Sequence, residues 1–308
     1  MSKLKALVID DIHPDGAEKL KKFFEVTKLP ALNTEELAEA IEPYHLLMMR
    51  VSAFVGEKVL AKAKNLKVIA SSTAGLSHVD LELCRQKNIT VVNAPGGNVD
   101  SVVELTIGRM IDLARSVPQA NYDVKNGTWD RFRYTGMELA GKKLGVVAFG
   151  KIGRRVAEIA RFMGMEILAF DPYVSEEEGK KAGAKMVSLK ELLRESDIIT
   201  VHAPLTPDTK DLIDREELAM MKDGALLLNM GRGGVVNEDA LYEALKSGKL
   251  GAAGFDVMVE EPCLESPLYE LDNFIITPHI GGQTPEALRR MALIAADKAI
   301  EAFGFKED

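Results

Sequence analysis

Four polar residues stand where short apolar runs stop. Arg232 sits in Asn229-Met-Gly-Arg-Gly-Gly234, directly after the run 224–229. Asp256 lies in the run 251–257, Glu261 precedes Pro262, and His279 follows the run 274–277 in Thr277-Pro-His-Ile-Gly-Gly282. These types suit proton transfer beside an anionic substrate. A histidine, with an ordinary pKa of about 6.5, can take up and release a proton near neutral pH. A carboxylate on its second ring nitrogen fixes the tautomer and favours the imidazolium. An arginine offers a planar fork that matches a carboxylate. Nothing in the linear order makes the four meet. What points to a common site is that all follow strand-like runs in the same part of the chain.

The stretch that would position them begins at Leu144, LGVVAFGKIGRRVAEIARFMGMEILAFD, and reads as strand, glycine turn, helix, strand and terminal acid. Leu144, Val146, Val147 and Phe149 make an apolar run rich in β-formers, broken by Gly150 and Gly153. Ile152, Val156, Ile159, Ala160 and Met163 then recur at helical spacing, so one helix face is apolar. Gly164 ends that helix, 166–170 is a second strand, and Asp171 closes it. This is a dinucleotide-binding βαβ pattern. Its glycines let the backbone approach a pyrophosphate, the helix N-terminus faces the charge, and the acid accepts the ribose hydroxyls. Gly150, Lys151, Ile152, Gly153 and Asp171 are the candidate cofactor contacts. An acid at Asp171 repels a 2′-phosphate, so NAD is expected over NADP. Ala148 replaces the first glycine of G-x-G-x-x-G and is expected to be a tolerated methyl at negative φ.

Strands and helices alternate on both sides of this unit. Before it, strands are expected at 5–10, 44–49, 68–71 and 90–93, with helices at 13–24, 33–41, 56–63 and 80–86. The segment Asn93-Ala-Pro-Gly-Gly-Asn98 reads as a hinge, and Ser101-Val-Val-Glu104 opens a long helix to about Arg115. An irregular loop, 126–134, carries the only tryptophan, Trp129. After the βαβ unit come a capped helix at Ser188, a strand at 197–201, a helix at 214–221, a strand at 224–229, a helix capped by Asn237, and strands at 251–257 and 274–277. Thr284-Pro-Glu starts a last helix, expected to cross back onto the first domain. The predicted class is α/β: two Rossmann-like or flavodoxin-like domains with parallel sheets, 1–97 with 283–308 and 98–282, and the active site in the cleft between them.

Composition excludes other classes. A chain of 308 residues suits two domains, and 46% hydrophobic with 28% charged residues is globular. No apolar run approaches the roughly 20 residues of a membrane span. The start MSKLKALVID passes straight into a strand without a signal-peptide pattern. A net charge of −8 argues against nucleic-acid or membrane-surface partners. Cys84 and Cys263 read as isolated thiols of a reducing cytoplasm, and no spacing suits a metal.

Four blocks now stand together: the βαβ unit, NMGRGGVVNEDAL (229–241), GFDVMVEEP (254–262) and TPHIGG (277–282). In this order they resemble the D-2-hydroxyacid dehydrogenase family over nearly the whole chain. The resemblance implies a catalytic Arg-Glu-His set, here Arg232, Glu261 and His279. His279 would be the base for the hydroxyl proton in oxidation and the acid in reduction, with Glu261 on its other ring nitrogen. Arg232 would hold the substrate carboxylate and polarise the oxygen on the reacting carbon. NAD is the implied cofactor, with Asp256 on the nicotinamide carboxamide and Met230, Gly281 and Gly282 beside it. The block HAPLTPDT places His202, Pro204 and Thr209 along the cofactor, although His202 equally fits a structural histidine. A homodimer built through the nucleotide domains is implied too. The face Val103, Ile107, Met110 and Ala114 is a candidate for it, at a spacing that equally fits ordinary core.

Substrate choice rests on the first domain. Its stretch Ser72-Thr-Ala-Gly-Leu-Ser-His-Val-Asp80 matches the family, and the resemblance gives the amides around Ala74 and Gly75 to the substrate carboxylate. Within the family the chain is most similar to the D-3-phosphoglycerate dehydrogenases of serine biosynthesis, through LMMRVS (47–52), NAPGGNVDSVVELTIG (93–108) and TPHIGGQTPEAL (277–288). A phosphorylated 2-hydroxy acid needs cations. Arg50, with Ser52 beside it, is the first choice, and Arg131 and Arg133 are secondary ones that would serve a neighbouring subunit. Ser71 stands where many of those enzymes have arginine, and Ser77 where aspartate is usual. The alternative is therefore glyoxylate or hydroxypyruvate reduction. With the sequence ending at Asp308, no regulatory serine-binding domain and no feedback through one are expected. Two further rivals share the fold. One is an NAD(H)-sensing corepressor-like binding protein. The other is formate dehydrogenase, which pairs its histidine with glutamine where this chain has Glu261.

Overall fold

A computed structural model describes residues 3–306. In chain order the first elements are β1 (Leu4–Val8), α1 (Pro14–Lys21), β2 (Phe24–Lys28), α2 (Thr34–Ala40), β3 (Leu46–Met49), α3 (Glu57–Leu60), β4 (Val68–Ser71), α4 (Leu81–Gln86) and β5 (Thr90–Asn93). There follow α5 (Val99–Arg115), α6 (Val117–Lys125), β6 (Lys143–Val147), α7 (Lys151–Phe162), β7 (Glu166–Phe170), α8 (Glu176–Lys181), β8 (Lys185–Met186) and α9 (Leu189–Glu195). The last are β9 (Ile198–Val201), α10 (Arg215–Met220), β10 (Ala225–Asn229), α11 (Glu238–Lys246), β11 (Leu250–Phe255), β12 (Phe274–Ile276) and α12 (Pro285–Ala302). Two compact units result. One contains the chain up to Val99 and from Gly282 onward, and the other is Asp100–Gly281.

The first unit holds a parallel sheet in the order β2-β1-β3-β4-β5. Residues 46–49 and 68–71 are wholly buried, as parallel strands covered on both faces must be. The strand order reverses between β1 and β3, so ligands of this sheet belong at the ends of those two strands. The expected helix 13–24 stops at Lys21, because Phe24 begins a strand that pairs with β1 from Leu4. Phe24 is buried and meets Phe303 and Phe305 edge-on, a long-range packing that outweighs local helical spacing. Helix α12 lies on β4, β5 and α1, burying Ala292, Ala295, Ala296 and Ala299. Segment 93–98 is packed rather than a free hinge: Ala94 is buried with Ala287 and Met291, and Arg290 Nε donates to the Gly97 carbonyl at 2.9 Å.

The second unit holds seven parallel strands in the order β12-β11-β10-β9-β6-β7-β8. Counted from β6, this is the doubly wound dinucleotide order with one strand added at the edge. Its reversal lies between β6 and β9, where Ala148 and His202 stand. Sequence reading missed α6, which has Pro118 in its first turn, and the short α8 and β8. The capping box of Ser175 and Glu178 was a legible sign of α8.

Candidate active site

Within the second unit Glu261 and His279 meet. Glu261 Oε2 lies 2.7 Å from His279 Nδ1, and Glu261 Oε1 accepts the Met258 N–H at 3.1 Å. Partial burial raises the Glu261 carboxyl, but the His279 hydrogen bond and charge outweigh this and hold it below the ordinary carboxylate range. His279 adopts φ 53°, a strained value for a side chain-bearing residue. What holds it there is Asp256. This buried carboxylate accepts Thr277 Oγ1 at 2.7 Å, the Ile280 amide at 2.9 Å and the Gly281 amide at 2.7 Å, while its carbonyl accepts the His279 amide at 2.9 Å. A carboxylate takes about four hydrogen bonds, so one acceptor position is left over.

Arg232 rides on the turn after β10. Asn229, fully buried, braces that turn by accepting the Gly231 amide at 3.1 Å and donating to the Arg232 carbonyl at 3.0 Å. Gly233 brings the turn onto the 256–261 loop, since a Cβ there would lie 1.9 Å from the Met258 carbonyl oxygen. Arg232 is thereby close enough to Glu261 for its charge to lower that carboxyl.

At β6 the glycine turn is built by close approach. A Cβ on Gly153 would lie 2.4 Å from the Ala148 carbonyl oxygen, whereas one on Gly150 would meet nothing within 4 Å. Gly150 is the N-cap of α7, so the first amides of that helix face open space. Asp171 accepts the Phe149 amide at 2.8 Å and the Tyr173 amide at 2.9 Å, leaving about two acceptor positions. Ala148 has φ 69°, which corrects the expectation of a negative value. A methyl in this region costs about 1–2 kcal/mol, and the tight packing of Gly153 under the Ala148 carbonyl supplies the constraint that keeps it there.

These parts can be compared with known proteins. Residues 107–281 match the D-isomer specific 2-hydroxyacid dehydrogenase, NAD binding domain. The chain belongs to this family. It is 44% identical over 296 residues to a D-3-phosphoglycerate dehydrogenase of Methanocaldococcus jannaschii, covering 96% of this chain but 56% of that one. The chain thus spans about half the length of such curated relatives. It is 38% identical to a hydroxypyruvate reductase of Thermotoga maritima, over 99% of this chain and 100% of that one. Among solved structures, the D-lactate dehydrogenase of Aquifex aeolicus complexed with NAD and lactic acid superposes with TM-score 0.84 at 31% identity, covering 97% and 95%.

The residues present fit NAD at one end of this site. The open position at Gly150, the free amides of α7 and the spare capacity of Asp171 suit a pyrophosphate and a ribose. Lys151 and Ile152 open that helix, and Met230 and Gly281 are buried near the β10 and β12 ends. Gly282 falls in the first unit, packed beside Asn98. Pro204 and Thr209 share one turn after β9, with Thr209 Oγ1 donating to the Pro204 carbonyl. His202 is neutral: burial pushes it down to about 3, its Nε2 pairs with Thr200 Oγ1 at 3.0 Å, and its buried Nδ1 has no partner.

A histidine kept neutral in the fold, but protonating near 6.5 when unfolded, adds stability above that pH and loses it as the pH falls. From His202 alone, unfolding free energy should drop by about 2 kcal/mol between about pH 6.5 and pH 5. His202→Gln should flatten this slope in denaturant titrations at the two pH values. An unchanged slope would place its source elsewhere.

In the first unit Arg50 and Asp10 occupy the ends of β3 and β1, at the strand-order reversal. Arg50 donates through Nη2 to Gln283 at 2.6 Å and through its amide to Asp10 at 2.6 Å, while its buried Nε has no partner among the described residues. Burial lowers the guanidinium pKa, against the pull of Asp10 and Asp11. Ser52 is exposed, and Ala74 and Gly75 are half-buried. Arg133 is already engaged by Asp123 at 2.7 Å in its own unit, which leaves it less suited to a substrate, and Arg131 is exposed. Arg109 went unnoticed in the sequence. It is buried, donates to Thr277 Oγ1 at 3.0 Å, and so backs the histidine turn with positive charge.

Proposed function

We propose that this chain interconverts D-2-hydroxy acids and their 2-oxo acids with NAD, with 3-phosphoglycerate and its oxidation product as the preferred pair. The observation that carries the reaction is the 2.7 Å pairing of His279 Nδ1 with Glu261, which leaves Nε2 for the substrate. In reduction, Nε2–H gives its proton to the carbonyl oxygen while the Arg232 guanidinium steadies the charge growing there. In oxidation the same nitrogen takes the hydroxyl proton, and the anionic Glu261 stabilises the imidazolium. Bound NAD accepts or supplies the hydride. The backbone amides around Ala74 and Gly75 receive the substrate carboxylate.

Arg50 supports the phosphorylated substrate, since a half-buried guanidinium at a strand-order reversal suits an anion. The second reading, glyoxylate or hydroxypyruvate reduction, is favoured by Ser71, which puts no cation beside the carboxylate loop. The full-length match to a hydroxypyruvate reductase also favours it. A panel of 2-hydroxy and 2-oxo acids, phosphorylated and not, with NADH and NADPH, decides between them. Arg50→Ala should raise KM for 3-phosphoglycerate about tenfold more than for glycerate, the effect of one lost charge-assisted hydrogen bond of about 1.5 kcal/mol. Equal changes would favour the second reading, and turnover of nothing in the panel would favour a binding protein.

The assembly fitting this activity is a homodimer. Of the candidate face, Val103, Met110 and Ala114 are buried and Ile107 is half-buried, as core residues would be. Val117, Tyr122, Val124, Trp129 and Phe132 are exposed instead, and this apolar surface is the proposed subunit face. Sedimentation of the panel enzyme as a monomer would remove that proposal. A cytoplasmic location accords with the free thiols Cys84 and Cys263, and no helix among the described residues is long and apolar enough to cross a membrane.

A further inference from the structure

The loop after β4 is held by hydroxyl groups whose directions can be worked out. Thr73 Oγ1 lies 2.6 Å from the Gly75 carbonyl, which can only accept, so the one Thr73 hydroxyl proton points there. Ser71 Oγ lies 2.6 Å from Thr73 Oγ1 and must then be the donor. Its own proton thus spent, Ser71 can only accept from His78 Nε2, at 2.9 Å. Proton counting therefore requires His78 to carry hydrogen on Nε2. Ser71 and His78 are buried, so water does not replace these bonds.

The chain of bonds ends on a peptide that matters. Asn93 Nδ2 holds the Ala74 carbonyl at 2.6 Å, and Thr73 holds that of Gly75. In a trans peptide the following N–H points opposite to the carbonyl. Pinning the two carbonyls therefore aims the amides of Gly75 and Leu76, and neither amide has an acceptor among the described residues. Successive free amides of this kind form an anion-binding concavity. The ends of the loop are fixed as well: the Val55 amide donates to the His78 carbonyl at 2.8 Å, and Asp80 caps α4.

We propose that His78, Ser71 and Thr73 form a one-way hydrogen-bond relay that aims the Gly75 and Leu76 amides at the substrate carboxylate, with His78 as a positioning residue. This rests on the reading of the chain as a 2-oxo acid reductase. An imidazolium also donates from Nε2, so the relay works in either protonation state of His78. Asp10 is the charged group that His78 feels, and burial favours its neutral form.

The test is steady-state reduction of the best 2-oxo acid by His78→Leu, His78→Gln and Thr73→Val enzymes, with ¹⁵N NMR of the wild-type histidines. His78→Leu and Thr73→Val should each raise KM for the 2-oxo acid about tenfold, with kcat and the NADH KM held within about threefold. His78→Gln, whose amide still donates, should return KM to within about threefold of wild type. The double variant should be no worse than either single one, because one relay is cut twice. An unchanged KM in folded Thr73→Val, or a His78 protonated only on Nδ1, overturns the relay. A wild-type enzyme that reduces no 2-oxo acid overturns the parent reading instead, and the NMR result then still decides whether the relay exists.

Discussion

The His279→Ala enzyme is expected to bind NADH as wild type does and to lose kcat by about 10²–10⁴-fold, the usual worth of a positioned acid–base group. The effect should be at the upper end because nothing beside His279 can replace it. Glu261 is the nearest acid, and although it loses the histidine bond in this variant, the Met258 amide and the Arg232 charge still favour its ionised form, which makes it a poor proton donor at neutral pH. Arg232 cannot give up a proton in this range. Glu261→Gln should lose less, since its amide oxygen can still accept from Nδ1 while the charge that steadies the imidazolium is gone. The measurement is kcat with the preferred 2-oxo acid, alongside NADH affinity by fluorescence. A His279→Ala rate within about tenfold of wild type would sink the assignment.

Adding one methyl to the turn beside Arg232 should do comparable harm. In Gly233→Ala the new Cβ would lie 1.9 Å from the Met258 oxygen, 2.1 Å from its carbonyl carbon and 2.5 Å from the Val259 nitrogen. All three are backbone atoms, so no side chain can swing aside, and the two turns must part. The Met258 amide is the one that holds Glu261, and the Val259 amide is held by Glu238 Oε1 at 2.7 Å. Parting the turns therefore moves Arg232 and Glu261 together. A misplacement of about 1 Å costs roughly 10²-fold in rate. We expect kcat/KM to fall by about that factor or more, with about 1–3 kcal/mol lost in unfolding free energy. Gly108→Ala on α5, where a Cβ meets nothing within 4 Å, is the control. A Gly233→Ala enzyme with wild-type kcat/KM would show that the two turns are not rigidly joined.

Much of this site was legible because its residues announce their chemistry by type and neighbourhood. Arg232, Glu261 and His279 stand beside glycines and prolines at the ends of apolar runs, and the βαβ unit changes period where its glycines fall. Illegible parts depend on distant partners. β2 exists because Phe24 finds Phe303 and Phe305 across the whole chain length. Arg109 is a charge on a buried helix face with Val102, Thr106 and Leu113, and its bond to Thr277 becomes visible only in the fold. The left-handed turn at Ala148 could not be read either, since its cause is the closeness of Gly153 and not the alanine itself. The relay through Ser71 was hidden for a similar reason: serine there read as a missing cation, and its hydrogen bonds become visible only with His78 folded over it.

The buried carboxylate of Asp256 has a consequence for motion. Its three hydrogen bonds tie Thr277, Ile280 and Gly281 to the end of β11, and each bond to such a charge is worth about 1.5–3 kcal/mol. Displacing the His279 backbone would break several of them at once. On the mechanism proposed above, the backbone that carries the acid–base histidine is the stationary point of the catalytic cycle. Whatever must move to admit substrate and release product moves around it.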